Sequence, residues 1–173
     1  MFAKKDYQGE VRRGLKAAYP RLWRYCLSLT GNRDRAEDLA QMTCLRALEK
    51  AAYYAAGTNL HGWIFRIAQR IWLNELRSDA VRRGGKLVLS EEIELPDSNA
   101  GPEMNSFVGQ VLREVMALPE AQRATVMLVY VEGFSYSDAA AILEIPIGTV
   151  MSRLAAARSR LASRLGEEGS RVG

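Results

Sequence analysis

Ser135-Tyr136-Ser137-Asp138-Ala139-Ala140-Ala141-Ile142-Leu143-Glu144-Ile145-Pro146-Ile147-Gly148-Thr149-Val150-Met151-Ser152-Arg153-Leu154 reads as two helices joined by a tight turn. Ser135 is a favourable N-cap, and Asp138 three residues later completes a capping-box pattern. Ala139, Ala140 and Leu143 make a narrow apolar face whose small side chains let a second helix come close. Pro146 cannot continue the first helix and restricts Ile145 before it. The second helix starts near Ile147 and carries Arg153, Arg158, Arg160 and Arg164 with no acidic residue among them. This is a helix-turn-helix pattern whose second helix suits a DNA major groove. The same pattern also serves as a packing device with a solvated basic helix, so the rest of the chain decides.

Working back from that motif, Leu118-Pro119-Glu120 starts a helix with Pro119 in its first turn. The run from Ala121 through Val131 is apolar on most sides and fits the centre of a second domain. Before it, Val108, Val111, Leu112 and Val115 keep helical spacing. The segment from Lys86 to Pro102 holds Glu91, Glu92, Glu94, Asp97, Pro96 and Pro102 and little that packs, so it reads as an acidic flexible linker after the Gly84-Gly85 break.

The front of the chain shows three further helical patterns. Leu15, Tyr19, Leu22, Cys26 and Leu29 fall on one stripe that ends at Thr30-Gly31. Asn32 or Asp34 caps the next helix, Glu37 and Asp38 suit its positive N-terminal end, and Ala36, Leu39, Ala40, Thr43 and Ala47 face inward, with Leu48 a weaker candidate. That helix ends near Tyr53-Tyr54. After the loop Ala55 to Asn59, Trp63, Ile64, Ile67, Ala68 and Ile71 face inward, while Arg66, Arg70, Arg77, Arg82 and Arg83 lie outward or along the edges. The expected fold is all-α: two small helical domains, 1–83 and 104–165, joined by the linker 84–103 and followed by a disordered tail, 166–173.

Charge follows the same division. Of the net +4 over 173 residues, residues 1–83 carry 16 basic and 8 acidic side chains, the linker 1 and 5, and residues 104–173 carry 7 of each. A basic front, an acidic connector and a basic final helix point to two nucleic-acid-facing parts. Cys26 and Cys44 lack a paired spacing and read as reduced core residues, and His61 alone makes no metal site. No glycine loop cradles a phosphate, no nucleophile stands beside a base, and no carboxylates cluster at metal spacing. The expectation is no enzyme, no cofactor, no metal and no small-molecule substrate. No apolar run would cross a bilayer, and Met1-Phe2-Ala3-Lys4-Lys5-Asp6 leads into no signal-peptide core, so a cytoplasmic protein without membrane insertion is expected.

Four stretches together resemble the extracytoplasmic-function (ECF) sigma factors of bacterial RNA polymerase: Ala36-Glu37-Asp38-Leu39-Ala40-Gln41, Trp63-Ile64-Phe65-Arg66-Ile67-Ala68, Leu118-Pro119, and Ile145-Pro146-Ile147-Gly148-Thr149-Val150 with Ser152-Arg153-Leu154. The resemblance spans about residues 10 to 165. It implies an alternative sigma factor that binds the core polymerase at its clamp and flap, opens the −10 promoter element with its first domain and reads the −35 element with its second. It implies clamp contacts from Asp38, Gln41 and Glu37, and −10 DNA contacts from Thr58, Asn59, Arg66, Arg70 and Arg77. It implies −35 contacts from Thr149, Ser152, Arg153 and Arg158.

Several assignments have a plainer alternative: Asp38 as a helix N-terminal charge, Asn59 as a cap, one of Arg66, Arg70 and Arg77 as a partner of Glu75 or Asp79, and Arg158 as a residue that keeps the terminal helix soluble. Trp63 reads as core, and Trp72, on another face, is left open between core and base stacking. Partners expected from the resemblance are core RNA polymerase, promoter DNA and an anti-sigma protein, in a stress-response setting. Met42, Met151 and Ala156 depart from the family's usual acidic or basic residues at those places. They keep open a sigma-like mimic that sequesters an anti-sigma protein without binding promoters. A regulator built on residues 104–165 alone would leave the basic front unexplained.

Overall fold

The computed structural model of the chain describes residues 6–55, 57–85 and 106–169. Among them seven α-helices occur and no strand: α1 Tyr7–Thr30, α2 Arg33–Glu49, α3 Leu60–Arg82, α4 Phe107–Met116, α5 Glu120–Val126, α6 Tyr136–Leu143 and α7 Ile147–Gly169. The acidic segment from residue 86 to 103 lies outside the described residues.

Helix boundaries follow local chemistry. Asp6, Asn32, Asn59, Ser106 and Ser135 each accept a backbone N–H from three residues ahead, satisfying one orphan donor of the helix that follows. Of the two candidate caps for α2, Asn32 is the one used. Gly31 ends α1 in the left-handed region at φ 66°, where glycine has no Cβ penalty, and its N–H closes on the Leu27 carbonyl. Pro119 sits at the N-cap of α5, one place ahead of the expected first-turn position. α7 continues to Gly169, so the expected disordered tail is helical over its first four residues, and only residues 170–173 lie outside the description.

α1 packs on α2 and α3, and α2 on α3, around Tyr25, Phe65, Leu22, Leu29, Leu39 and Ile64, all fully buried. Each such side chain contributes about 1.5–3 kcal/mol by leaving water. The Tyr25 hydroxyl donates to Gln69 Oε1 at 2.8 Å, so its buried polar tip is satisfied. The expected inward residues of α2 are buried, with Leu48 half-buried. Trp63 is half-buried against Tyr54 at 5.3 Å between rings, and Trp72 is buried. In the second unit α7 packs on α4, α5 and α6 around Leu118, Leu128, Ile142, Val150 and Leu154.

The expected long helix to Val131 changes register midway. Met127–Val131 is a π turn, and the Glu132 N–H donates to the Met127 carbonyl at 2.8 Å. Gly133 follows at φ 74°. A π turn inserts a residue relative to α spacing, and here it precedes Glu132, which points toward α1. The two units are packed together, α3 against α6 and α1 against α5.

Candidate polymerase and nucleic-acid interface

On α2, Asp38 and Gln41 are exposed and share an open groove with Arg35, Met42, Leu45 and Glu75. Two charged or polar side chains beside exposed Met42 and Leu45 suit a mixed polar and apolar partner surface. Glu37 does not line this groove. Its carboxylate accepts from the Tyr19 hydroxyl at 2.8 Å and from Gln41 Nε2 at 2.9 Å. The Tyr19 bond holds the Glu37 carboxyl below its ordinary range, while burial, helped by Glu37, pushes Tyr19 up to about 12. Arg35 lies over the Trp72 ring at 5.0 Å and 3.9 Å from Asp79. Burial raises the Glu75 carboxyl above its ordinary value.

The loop before α3 is closed on itself. Thr58 Oγ1 donates to the Ala55 carbonyl at 2.6 Å, and the Tyr54 hydroxyl donates to the Thr58 carbonyl at 3.0 Å. Asn59 Oδ1 accepts the Gly62 N–H at 2.9 Å. Its cap role is therefore real, and the Nδ2 donor is the part of the amide suited to a base edge.

Arg66 and Arg70 lie one turn apart on α3, and both are paired with one carboxylate from the other unit. Glu144 Oε1 is 2.8 Å from Arg66 Nε and 2.5 Å from Arg70 Nε. The partner is neither Glu75 nor Asp79; Asp79 instead meets Arg82 at 2.7 Å and Arg35. Arg66 and Arg70 hold the Glu144 carboxyl below its ordinary range, the Arg66 hydrogen bond contributing most. Arg77 is exposed. Trp72, left open in the sequence, is no stacking platform here: its indole N–H donates to Glu120 Oε1 at 2.6 Å across the unit boundary.

Four more polar contacts cross the same boundary. The Glu132 side chain, fully buried, meets Arg21 Nε at 2.7 Å and Arg24 Nη2 at 3.1 Å, and Arg21 also donates to the Glu132 carbonyl at 2.7 Å. The buried Arg123 donates to the Ser28 carbonyl on the first unit and to the Met116 and Leu118 carbonyls on its own. Burial lowers its pKa from the ordinary guanidinium value, and the Glu120 carboxylate opposes that shift. Phe65 meets Phe134 edge-on at 5.2 Å. Sequence reading singled out none of Arg21, Arg24, Arg123, Glu132 or Glu144, because each finds its partner far along the chain.

In the helix-turn-helix, Ser135 Oγ accepts the Asp138 N–H at 3.0 Å, which realises the serine half of the capping box. Glu144 ends α6 in the left-handed region at φ 55°. α7 then leaves at 103° to α6, within the range of helix-turn-helix crossings. Val150, Leu154 and Ala157 are fully buried, which turns Ile147, Gly148, Met151, Ser152 and Ala155 outward. Thr149 and Arg153 are half-buried on the flank. Arg158 Nη1 donates to the Tyr130 hydroxyl at 2.6 Å, and Arg164 pairs with Glu114 at 3.1 Å. Among the described residues no group of His, Cys, Asp or Glu could hold a metal ion, and no single helix is long and apolar enough to cross a membrane.

Residues 15–82 match the family model described as Sigma-70 region 2, and residues 109–161 match that described as Sigma-70, region 4. The chain is 38% identical over 168 residues to the ECF RNA polymerase sigma factor EcfG of Rhodopseudomonas palustris (strain TIE-1), covering 92% of this chain and 87% of that protein. It is 32% identical over 151 residues to the ECF RNA polymerase sigma factor SigL of Mycobacterium tuberculosis (strain ATCC 25618 / H37Rv), covering 86% and 84%. Among solved structures it is similar to the sigma factor RpoE in complex with the anti-sigma factor NepR from Bartonella quintana. That match has a TM-score of 0.76 and 30% identity over 91% of this chain and 97% of that one. CnrH in complex with the cytosolic domain of CnrY shares the fold at a TM-score of 0.64 and 18% identity, over 92% and 90%. Two sigma-70 regions in order, and a full-length relative at this identity, place the chain in the ECF sigma factor family of RNA polymerase.

Proposed function

We propose that the chain acts as an alternative sigma factor, binding core RNA polymerase through the Asp38–Gln41 surface of α2 and carrying promoter recognition on α3 and α7. The observation that carries this reading is the helix-turn-helix itself: α7 crosses α6 at 103° and presents one face of its first two turns to solvent. The first unit, 1–83, serves the −10 element through Thr58, Asn59, Arg66, Arg70 and Arg77; the second, 104–165, serves the −35 element through Thr149, Ser152, Arg153 and Arg158. Arg66 and Arg70 already hold a carboxylate oxygen, which is a stand-in for a phosphate oxygen. Promoter engagement then exchanges Glu144 for DNA backbone and separates the two units.

Glu37 supports the clamp surface by holding Gln41 rather than by touching the partner. The chain supplies specificity and strand opening and no catalysis, and it works in the cytoplasm. By likeness to the NepR-bound relative, an anti-sigma protein is its regulator. The test is in-vitro transcription with core polymerase and promoter fragments from the same genome. Specific transcripts should appear and vanish when Asp38 and Gln41 are both replaced by alanine. A folded protein that fails to bind core polymerase at all would overturn the reading in favour of an anti-sigma-binding mimic.

A further inference from the structure

In the first two turns of α7 the outward positions are Ile147, 46% exposed at the very start of the helix, and Gly148, Met151, Ser152 and Ala155. Met151 is the longest of these side chains and is 51% exposed. A singly exposed methionine is ordinary on a protein surface. What sets this one apart is its place, beside Ser152 at the N-terminal end of the second helix, where helix-turn-helix proteins touch base edges. The polar groups nearby are turned aside or already bonded. Arg153 is half-buried on the flank, Arg158 is held by the Tyr130 hydroxyl at 2.6 Å, and Ser152 Oγ donates to the Thr149 carbonyl at 3.1 Å.

A thioether offers no donor and only a weak acceptor. It cannot read guanine or adenine by the paired hydrogen bonds that arginine or asparagine use. On the floor of the major groove the apolar feature that distinguishes one base is the C5 methyl of thymine. We infer that Met151 is a specificity-determining residue of the −35 contact and selects a thymine by packing against its methyl group, an inference that rests on the promoter-binding reading above.

The experiment uses the full chain bound to core polymerase. Selection from a pool of duplexes first gives its preferred −35 element. Each thymine of that element, on either strand, is then replaced by deoxyuridine, which removes the methyl and leaves the pairing unchanged. One position should lose about fourfold in affinity, the worth of a single methyl group returned to water. Met151→Ala should abolish the difference between thymine and deoxyuridine at that position, and Met151→Leu should keep most of it. Absence of any deoxyuridine-sensitive position, or a difference that survives Met151→Ala, would overturn the inference, while losses on changing other bases of the element would leave the promoter-binding reading standing. If no base of the element affects binding, the promoter-binding reading falls and takes this inference with it.

Discussion

Asn59 carries two jobs that a single alanine substitution would confuse. Its Oδ1 caps α3 through the Gly62 N–H, and its Nδ2 is the group proposed to meet a base of the −10 element. Asn59→Ala should lower unfolding free energy by about 1 kcal/mol through the lost cap and also slow promoter opening. Asn59→Ser keeps a capping oxygen, so its stability in urea should stay within a few tenths of a kcal/mol of the parent. If permanganate footprinting still shows poor opening with Asn59→Ser, the base contact is established; normal opening would reduce Asn59 to a cap. Arg123 has a different status. Its guanidinium satisfies three carbonyls in a buried setting, and Arg123→Ala should cost about 3 kcal/mol, read as a lowered denaturation midpoint. Capping residues such as Ser135 and Asn32 were legible in the sequence because a cap is a local bond between near neighbours. The direction of Glu37 was not, since Tyr19 lies on another helix and only packing reveals that the carboxylate turns toward it.

Helices α1, α2, α3 and α7 were legible because their apolar residues recur at helical spacing and their ends carry Gly31, Asn32, Asn59 and Pro146. The π turn at Met127–Val131 was not. Those five residues are Met, Leu, Val, Tyr and Val, so an apolar run this dense carries no phase that separates α from π spacing. Its consequence is the aim of Glu132, whose carboxylate is buried between two arginines that are themselves 33% and 49% exposed. Glu132→Gln keeps the shape but removes the charge. Because Arg21 and Arg24 can turn to water, the loss should be that of charge-assisted hydrogen bonds, about 2 kcal/mol, rather than that of stranded buried cations. Chemical denaturation of the full chain measures it. Helix α7 also outran expectation by continuing through Gly166 to Gly169; a glycine in a helix costs only about 1 kcal/mol relative to alanine and does not by itself end one.

At the scale of the whole molecule, the uneven charge read from the sequence acquires a partner. The basic front meets acids of the second unit: Arg21 and Arg24 meet Glu132, and Arg66 and Arg70 meet Glu144. Composition identified the basic region but not its closure, because the second unit balances in net charge and nothing local marks which acids face across. The two pairings differ in worth. Glu144 is 42% exposed, and pairs of that kind contribute about 0–1 kcal/mol, whereas Glu132 is buried and contributes more. Disrupting Glu144 should therefore loosen the packed arrangement without unfolding either unit. The Glu144 carboxyl is held below its ordinary value of 4.5, chiefly by Arg66. A carboxyl depressed in the packed state stabilises that state fully above 4.5, and the contribution fades as pH falls through the depressed value. A fluorophore pair placed on exposed positions of α2 and α7 should report a constant separation from pH 7 down to 5. Below about 4.5 the parent should show an added increase in separation that Glu144→Gln, already lacking the charge, does not show. If the two proteins respond alike to acid, Glu144 does not hold the units together, and the closure rests on Glu132, Arg123 and the Phe65–Phe134 contact.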